Sequence, residues 1–392
     1  MNGQEDLDTM KRIICVLLAL LCFLLPACQK KEESPAPAPE TQASAAPETP
    51  ETQPEEEETE PAAPEDDTDT DLCAVTVTAP QDGIEEIASN VYIARVGDCG
   101  FSAFLEAGGA SSDREVLAFL SGMLCVPGLN LEIPGVGCST VSVASPDGGQ
   151  FFGRNFDWSC REVLLLEAHP DGGYASFSTV NVDFIKESAS SLPMEAIPTA
   201  AYYAPLDGMN EKGLAVSVNM INDSARIGQK TDLPDLTTTT ALRLLLDRAA
   251  TTDEALALLG EYDLHGSYDM MIHFAVTDAS GHAVAVEYIG QEMCVTETPV
   301  LTNFYVTEGE KYGIGAAQSH QRFKVLEAFL ASHPTASIYE VRDALTAAGE
   351  SNFDPDPNER TEWSVIYDQT NLTATWYRRE NFSSGWTAAL IP

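Results

Sequence analysis

The chain has 392 residues and a formal net charge of −40 at pH 7, long enough for one large domain or two small ones. Much of the acidic excess lies between Glu32 and Asp71, and no basic patch with interleaved aromatics occurs, which excludes nucleic acid as a natural partner. The nine cysteines and six histidines show no CxxC or Cys/His spacing of the kind that holds zinc.

The first element is an address. Lys11 and Arg12 precede an apolar run from Ile13 to Leu25 that ends in Leu25-Pro26-Ala27-Cys28. The run is short for a membrane span and has the layout of a secretory signal. It resembles a bacterial lipoprotein signal, apart from Pro26, and this implies lipidation at Cys28, with Met10 as the natural start. A plain signal peptide or an anchor helix is the alternative. The resemblance predicts an extracytoplasmic protein that meets the membrane through a lipid anchor only. Residues 29–72 follow, rich in Glu, Pro, Ala, Thr and Asp. They are too poor in apolar side chains to offset the entropy of ordering and are predicted to be a disordered spacer.

Residues 73–137 form a leader with a predicted strand at Asn90–Arg95 and a helix at Arg114–Leu124. The main body, 138–392, opens on a hairpin. Ser139–Ala144 alternates small polar and apolar residues, Ser145-Pro146-Asp147-Gly148-Gly149 is turn chemistry, and Gln150–Trp158 runs back. Further strands are predicted at Gly213–Met220, Met271–Thr277, Ala283–Ile289, Val300–Phe304, Trp363–Asp368 and Leu372–Tyr377. Helical periodicity covers Thr238–Ala249, Thr252–Leu259, Ser319–Ala331 and Ser337–Ala347, with caps expected at Thr252 and Ser337. Antiparallel hairpins with separate helix groups give a layered α+β fold.

Folding the hairpin about Asp147 places Cys138 opposite Phe156, and brings Arg154, Asn155 and Asp157 near its sulfur. An arginine beside a thiol favours the thiolate, the reactive form. A carboxylate beside a free α-amine would orient it. Arg154 and Asp157 are three residues apart, so a regular strand sends them to opposite faces; sharing one site requires a bulge near Asn155 and Phe156. No histidine is tied by sequence to Cys138. A cysteine at a new N-terminus does not need one, because its own α-amine, with an ordinary pKa of roughly 7.7–8.0, serves as base. That predicts cleavage of the Gly137–Cys138 bond. On these residues alone Cys138 is equally a small buried hydrophobe and Arg154/Asp157 a surface ion pair.

The chain resembles the choloylglycine hydrolase family, the linear amide C–N hydrolases within the N-terminal nucleophile hydrolases. The resemblance rests on Gly137-Cys138-Ser139-Thr140, Gly153-Arg154-Asn155-Phe156-Asp157-Trp158, Gly208-Met209-Asn210-Glu211-Lys212-Gly213-Leu214 and Ser217-Val218-Asn219. Leu301-Thr302-Asn303, Ser319-His320-Gln321-Arg322-Phe323 and Thr361-Glu362-Trp363-Ser364-Val365-Ile366-Tyr367-Asp368 complete it.

It implies a four-layer αββα sandwich. It also implies Cys138 as nucleophile, Arg154 as stabiliser of its thiolate and Asp157 as orienter of its amine. Asn219 and Asn303 are implied near the oxyanion, with Asn155 and Asn210 as competitors, and Arg322 as a second active-site arginine. The substrate implied is a small linear amide, bile-salt-like or penicillin V-like, with no metal or organic cofactor. The long leader departs from members that expose cysteine by losing little more than a methionine. It is similar to the branch of acyltransferases and ceramidase-like amidases that cut themselves, in which the leader could stay bound as a second chain. An acyltransferase and a non-catalytic ligand-binding lipoprotein are the alternatives to a hydrolase. Phe184–Pro205, Met220, Tyr202 and Tyr203 are candidates for the pocket wall or for core packing.

Overall fold

The computed structural model describes residues 74–124, 137–188, 192–353 and 360–390. The predicted signal with Cys28, the acidic spacer, Cys73 and Cys125 lie outside them.

The strand Gly137–Ala144 and the strand Gln150–Trp158 pair antiparallel, Cys138 opposite Phe156 and Thr140 opposite Arg154. They sit inside a seven-stranded sheet. Arg360–Asp368, Thr373–Arg378 and Asn381–Ala389 extend it beyond Gln150–Trp158, and the short Val300–Leu301 closes the other edge. Every residue of Gln150–Trp158 is buried, on both faces. One face carries Phe152, Arg154 and Phe156 toward a second sheet. The other carries Phe151, Asn155 and Asp157 toward helices Ala317–Ser332 and Ile338–Ala347.

The second sheet has nine strands. Its centre is Ile272–Thr277, Ala215–Met220, Asp207–Asn210 and Ser176–Asn181. Its outer face is covered by helices Ile197–Tyr202 and Thr238–Arg248. The two sheets meet over a core that includes Phe177, Val218, Trp363, Tyr367 and Trp376. They are also tied by polar bonds: Trp376 Nε1 donates to Thr179 Oγ1 at 3.0 Å, and Ser142 and Thr277 hydroxyls meet at 3.1 Å. The order helix, sheet, sheet, helix is the αββα sandwich that the resemblance implies.

The leader is woven into both sheets. Ala74–Thr76 pairs in parallel with Asn381–Ala389, and Val91–Val96 pairs in parallel with Val163–Ala168 while forming a hairpin with Ile84–Ala88. Its helix Asp113–Leu124 begins one residue before the predicted start.

Two expectations need correction. The cap of helix Thr252–Leu259 is Thr251, whose hydroxyl accepts from the Glu254 N–H at 3.2 Å; Thr252 is already helical. The strand predicted over Val300–Phe304 stops at Leu301. There the chain leaves the sheet to bond helix Ala317–Ser332: Asn303 N–H donates to Ser319 Oγ at 2.8 Å, and Thr302 Oγ1 donates to the Ser319 carbonyl at 3.1 Å. The break lets Asn303 face Cys138.

Candidate active site

Cys138 has no exposed surface. Its Sγ lies 3.3 Å from Arg154 Nη2 and 3.7 Å from the Val218 carbonyl. The chain is continuous through Gly137 and Cys138, so the Cys138 nitrogen is an amide, and it donates to Asn303 Oδ1 at 2.7 Å. Burial pushes the thiol above its usual value; Arg154 pulls it back, and Asp157 adds to the rise.

Arg154 is held from the second sheet. It donates to the Leu206 carbonyl at 2.7 Å and the Val218 carbonyl at 2.6 Å, and it is paired with Asp207. Neither side chain of the pair is exposed. Asp207 also accepts from Trp363 Nε1 at 3.0 Å and from Tyr367 OH at 2.6 Å. Asp207 was not among the sequence candidates.

Asp157 takes the other side. The strand Gln150–Trp158 pairs with Gly137–Ala144 without a register shift, so the bulge needed to bring Arg154 and Asp157 to one face is absent from it. The irregularity sits in the neighbouring strand, between Thr361 and Trp363. Arg154 reaches the sulfur from between the sheets. Asp157 lies directly across from Gly137 on the helix side, paired with Arg322 and accepting from Thr361 Oγ1 at 2.6 Å. Arg322 is shared with Glu350, and donates to Ser139 Oγ at 3.0 Å and to the Ala348 carbonyl at 2.9 Å. The two arginines thus flank the Cys138 strand on opposite faces, and Glu350 is a second acidic member that sequence reasoning missed.

Asn219 is buried, its Oδ1 accepting from Ser217 Oγ at 3.2 Å while its Nδ2 has no hydrogen-bond partner among the described residues. Asn303 Nδ2 is committed to the Met220 carbonyl at 2.7 Å. Of the two asparagine amides, Asn219 Nδ2 is the one with no partner among the described residues, while Asn303 Nδ2 already has one of its two N–H groups engaged. The competitors are structural. Asn155 bridges Ser364 and the Leu345 carbonyl. Asn210 bonds the Leu246 and Ala249 carbonyls at the end of helix Thr238–Arg248.

Behind Asn303 lies a buried pair. His273 donates through Nε2 to the Thr302 carbonyl at 2.8 Å, and its Nδ1 meets Glu287 Oε1 at 2.9 Å. Glu287 also accepts from the Val306 and Thr307 N–H groups at 3.0 and 2.8 Å. Burial alone would raise the Glu287 carboxyl, but His273 and these N–H groups outweigh it and hold it below its usual value. A lowered folded-state pKa stabilises the fold above the unfolded value, and the gain is lost as pH falls through the folded one. Glu287→Gln should therefore cost about 1–3 kcal/mol at pH 7. In urea unfolding across pH, that cost should shrink below about pH 4.

An apolar cavity of about 410 Å³, counted with the open space at its mouth, lies near Cys138, which is not itself part of its wall. It shares Val218 and Phe156 with the surroundings of Cys138, and Leu206, Met220, Phe184 and Ile272 add to its wall. Met220 and Phe184 are thus pocket residues. Tyr202 and Tyr203 are core, packed edge-on against Phe101.

Residues 144–380, more than half of the chain, match the family model described as acyl-coenzyme A:6-aminopenicillanic acid acyl-transferase. The chain belongs to this family. The acyl-transferase match begins just past Cys138 and contains Arg154, Asp157, Asn219, Asn303 and Arg322. Among solved structures, a mutant of the conjugated bile acid hydrolase from Clostridium perfringens is 14% identical, with a TM-score of 0.47 over 64% of this chain and 91% of its own. Penicillin V acylase from Agrobacterium tumefaciens is 18% identical, with a TM-score of 0.44 over 62% of this chain and 83% of its own. No curated protein matches the chain.

Proposed function

We propose that this acyl-transferase family member is an amidohydrolase that cleaves the C–N bond of linear N-acyl amides with an apolar acyl group. Cys138 is its nucleophile, released by self-cleavage. The observation that carries the reading is the Cys138 sulfur, 3.3 Å from Arg154 Nη2, on a residue whose nitrogen is held by Asn303 and whose neighbours Val218 and Phe156 also line an apolar cavity.

Self-cleavage starts with attack of Sγ on the Gly137 carbonyl carbon. The C–N bond breaks, the Cys138 nitrogen takes a proton and becomes an amine, and water hydrolyses the thioester, leaving a Gly137 carboxylate and a free thiol. A Cβ added at Gly137 would stand 3.2 Å from Asp157 Cβ and 3.7 Å from Arg322 Nη1. Small misplacements of reacting groups, on the order of 1 Å, can cost ~10²-fold in rate. Gly137→Val should slow cutting by about 10- to 100-fold, and Gly137→Ala by less. Intact mass against time reads both.

In turnover the free α-amine takes the thiol proton, and Asn303 Oδ1 holds one of its N–H bonds so that the lone pair can face sulfur. The thiolate attacks the substrate carbonyl. Asn219 Nδ2, without a partner among the described residues, donates to the developing oxyanion, an effect worth about 3–4 kcal/mol in comparable sites. The departing amine takes the proton, and water hydrolyses the acyl thioester. The family description favours a second reading, in which an amine rather than water receives the acyl group. Product analysis with added amine separates the two. Lipidation at Cys28, which would anchor the enzyme outside the cytoplasmic membrane, is part of the proposal; the intact mass of the secreted protein tests it together with the cut.

A further inference from the structure

The leader bonds one residue of the cavity wall and the strand that leads into another part of that wall. The first contact is at the turn Ser267–Asp269, which carries Tyr268 into the cavity wall and against Phe184, ring centroids 5.2 Å apart. Tyr268 and Asp269 have φ of 56° and 58°, consecutive left-handed residues with side chains. Such residues are strained and persist only where the surroundings hold them. Ser267 is tied to Thr238 and Thr239, and Asp269 pairs with Arg226 at the exposed side; the Tyr268 N–H itself is held by Asp113, the first residue of the leader helix Asp113–Leu124, whose Oδ2 accepts it at 2.6 Å. The second contact is at Asp235, just before the helix Thr238–Arg248 whose Thr238 and Thr239 line the same cavity. There Ala110 N–H donates to the Asp235 carbonyl at 2.9 Å, and Asp235 N–H donates to the Gly108 carbonyl at 3.0 Å. The approach is so close that a Cβ on Gly109 would lie 1.9 Å from the Asp235 carbonyl oxygen.

We propose that the leader is the specificity element of this enzyme: Asp113 fixes the Ser267–Asp269 turn, and with it the Tyr268 wall that decides which apolar acyl groups enter. The proposal rests on the acyl-transfer reading above and deepens it. Asp113 touches no reacting atom and is a positioning residue. The leader's place in both sheets gives it the means to stay attached after a cut at Gly137–Cys138.

The test uses the full-length secreted protein and a series of N-acyl glycines with straight acyl chains from short to medium length. In Asp113→Ala the ratio of kcat/KM between the best and the shortest acyl chain should fall by about tenfold, the scale on which a hydrophobic pocket discriminates. The change should lie in KM, with the cut at Gly137–Cys138 complete by intact mass. Asp113→Glu keeps the acceptor but lengthens its reach by one methylene, and should shift the same ratio; should Asp113→Ala not fold, Asp113→Glu decides. An unchanged profile, within about twofold, in a folded and fully cut variant overturns the proposal. If the unaltered protein hydrolyses none of the series, the amidase reading fails, and the proposal is then read from calorimetric binding of dodecanoate. Binding weakened about tenfold in the variants supports it. Equal binding in both overturns it.

Discussion

Cys138→Ala is expected to leave the Gly137–Cys138 bond intact and to remove hydrolysis of any good N-acyl amide, a loss on the order of 10⁴-fold or more. Both effects follow from one atom, since the sulfur that opens the chain also attacks the substrate. Neighbouring nucleophiles cannot replace it. Ser139 points to the helix side and accepts from Arg322, and Thr140 Oγ1 is engaged with the Leu301 carbonyl at 3.3 Å. Among the other thiols, burial pushes Cys99 up to about 12 and raises Cys160 further. Their sulfurs lie against the Gly97 and Glu162 carbonyls, with no guanidinium bonded to either among the described residues, unlike Cys138. Cys138→Ser separates the steps. A hydroxyl beside the same α-amine retains some nucleophilicity, so slow cutting with much weaker turnover is expected. Intact mass and a single-turnover assay read the two together. A Cys138→Ala protein that hydrolyses at the wild-type rate would require a different nucleophile and would end this reading of the site.

Much of this arrangement was legible in the sequence because it is local. Turn chemistry at Ser145–Gly149 fixes the hairpin register, and the register alone sets Cys138 opposite Phe156. Strand parity also warned that Arg154 and Asp157 point apart. The structure resolves that tension without a bulge between them, by using both faces of a strand that is covered on both sides. The long-range parts were not legible. Asp207 is separated from Arg154 by fifty-three residues, and although it directly precedes the Gly208–Leu214 motif, nothing local ties its charge to Arg154. The requirement that a buried guanidinium have a counter-charge predicts that such a residue exists but does not name it. Glu350 was hidden in the same way. The Val300–Phe304 pattern reads as one strand because nothing local records the pull of Ser319 on Asn303. The spatial role of the leader was invisible because parallel pairing with Val163–Ala168 and Asn381–Ala389 leaves no turn signal.

The largest stability effect is expected at Asp207. Asp207→Ala strips the counter-charge from a guanidinium that has no exposed surface, a change that costs roughly 3–5 kcal/mol in comparable pairs. It also orphans two more donors, Trp363 Nε1 and Tyr367 OH, at about 1–3 kcal/mol each. Against a total stability of about 5–15 kcal/mol, this brings the fold close to collapse. Urea unfolding should show a large fall in midpoint, or no folded protein at all. The double variant Arg154→Met with Asp207→Leu removes both charges and fills their space with apolar atoms. It should recover much of the loss, because paired buried charges replaced by hydrophobes are often no less stable than the pair. Recovery should be incomplete, since Trp363 and Tyr367 still lack their acceptor. Turnover should not return, because no guanidinium remains beside the sulfur. Stability and activity therefore part company in the double variant, and that separation distinguishes a catalytic arginine from a structural one. A double variant that is both stable and active would show that Arg154 only fills space, and a single variant as stable as the parent would show that Asp207 does not anchor it.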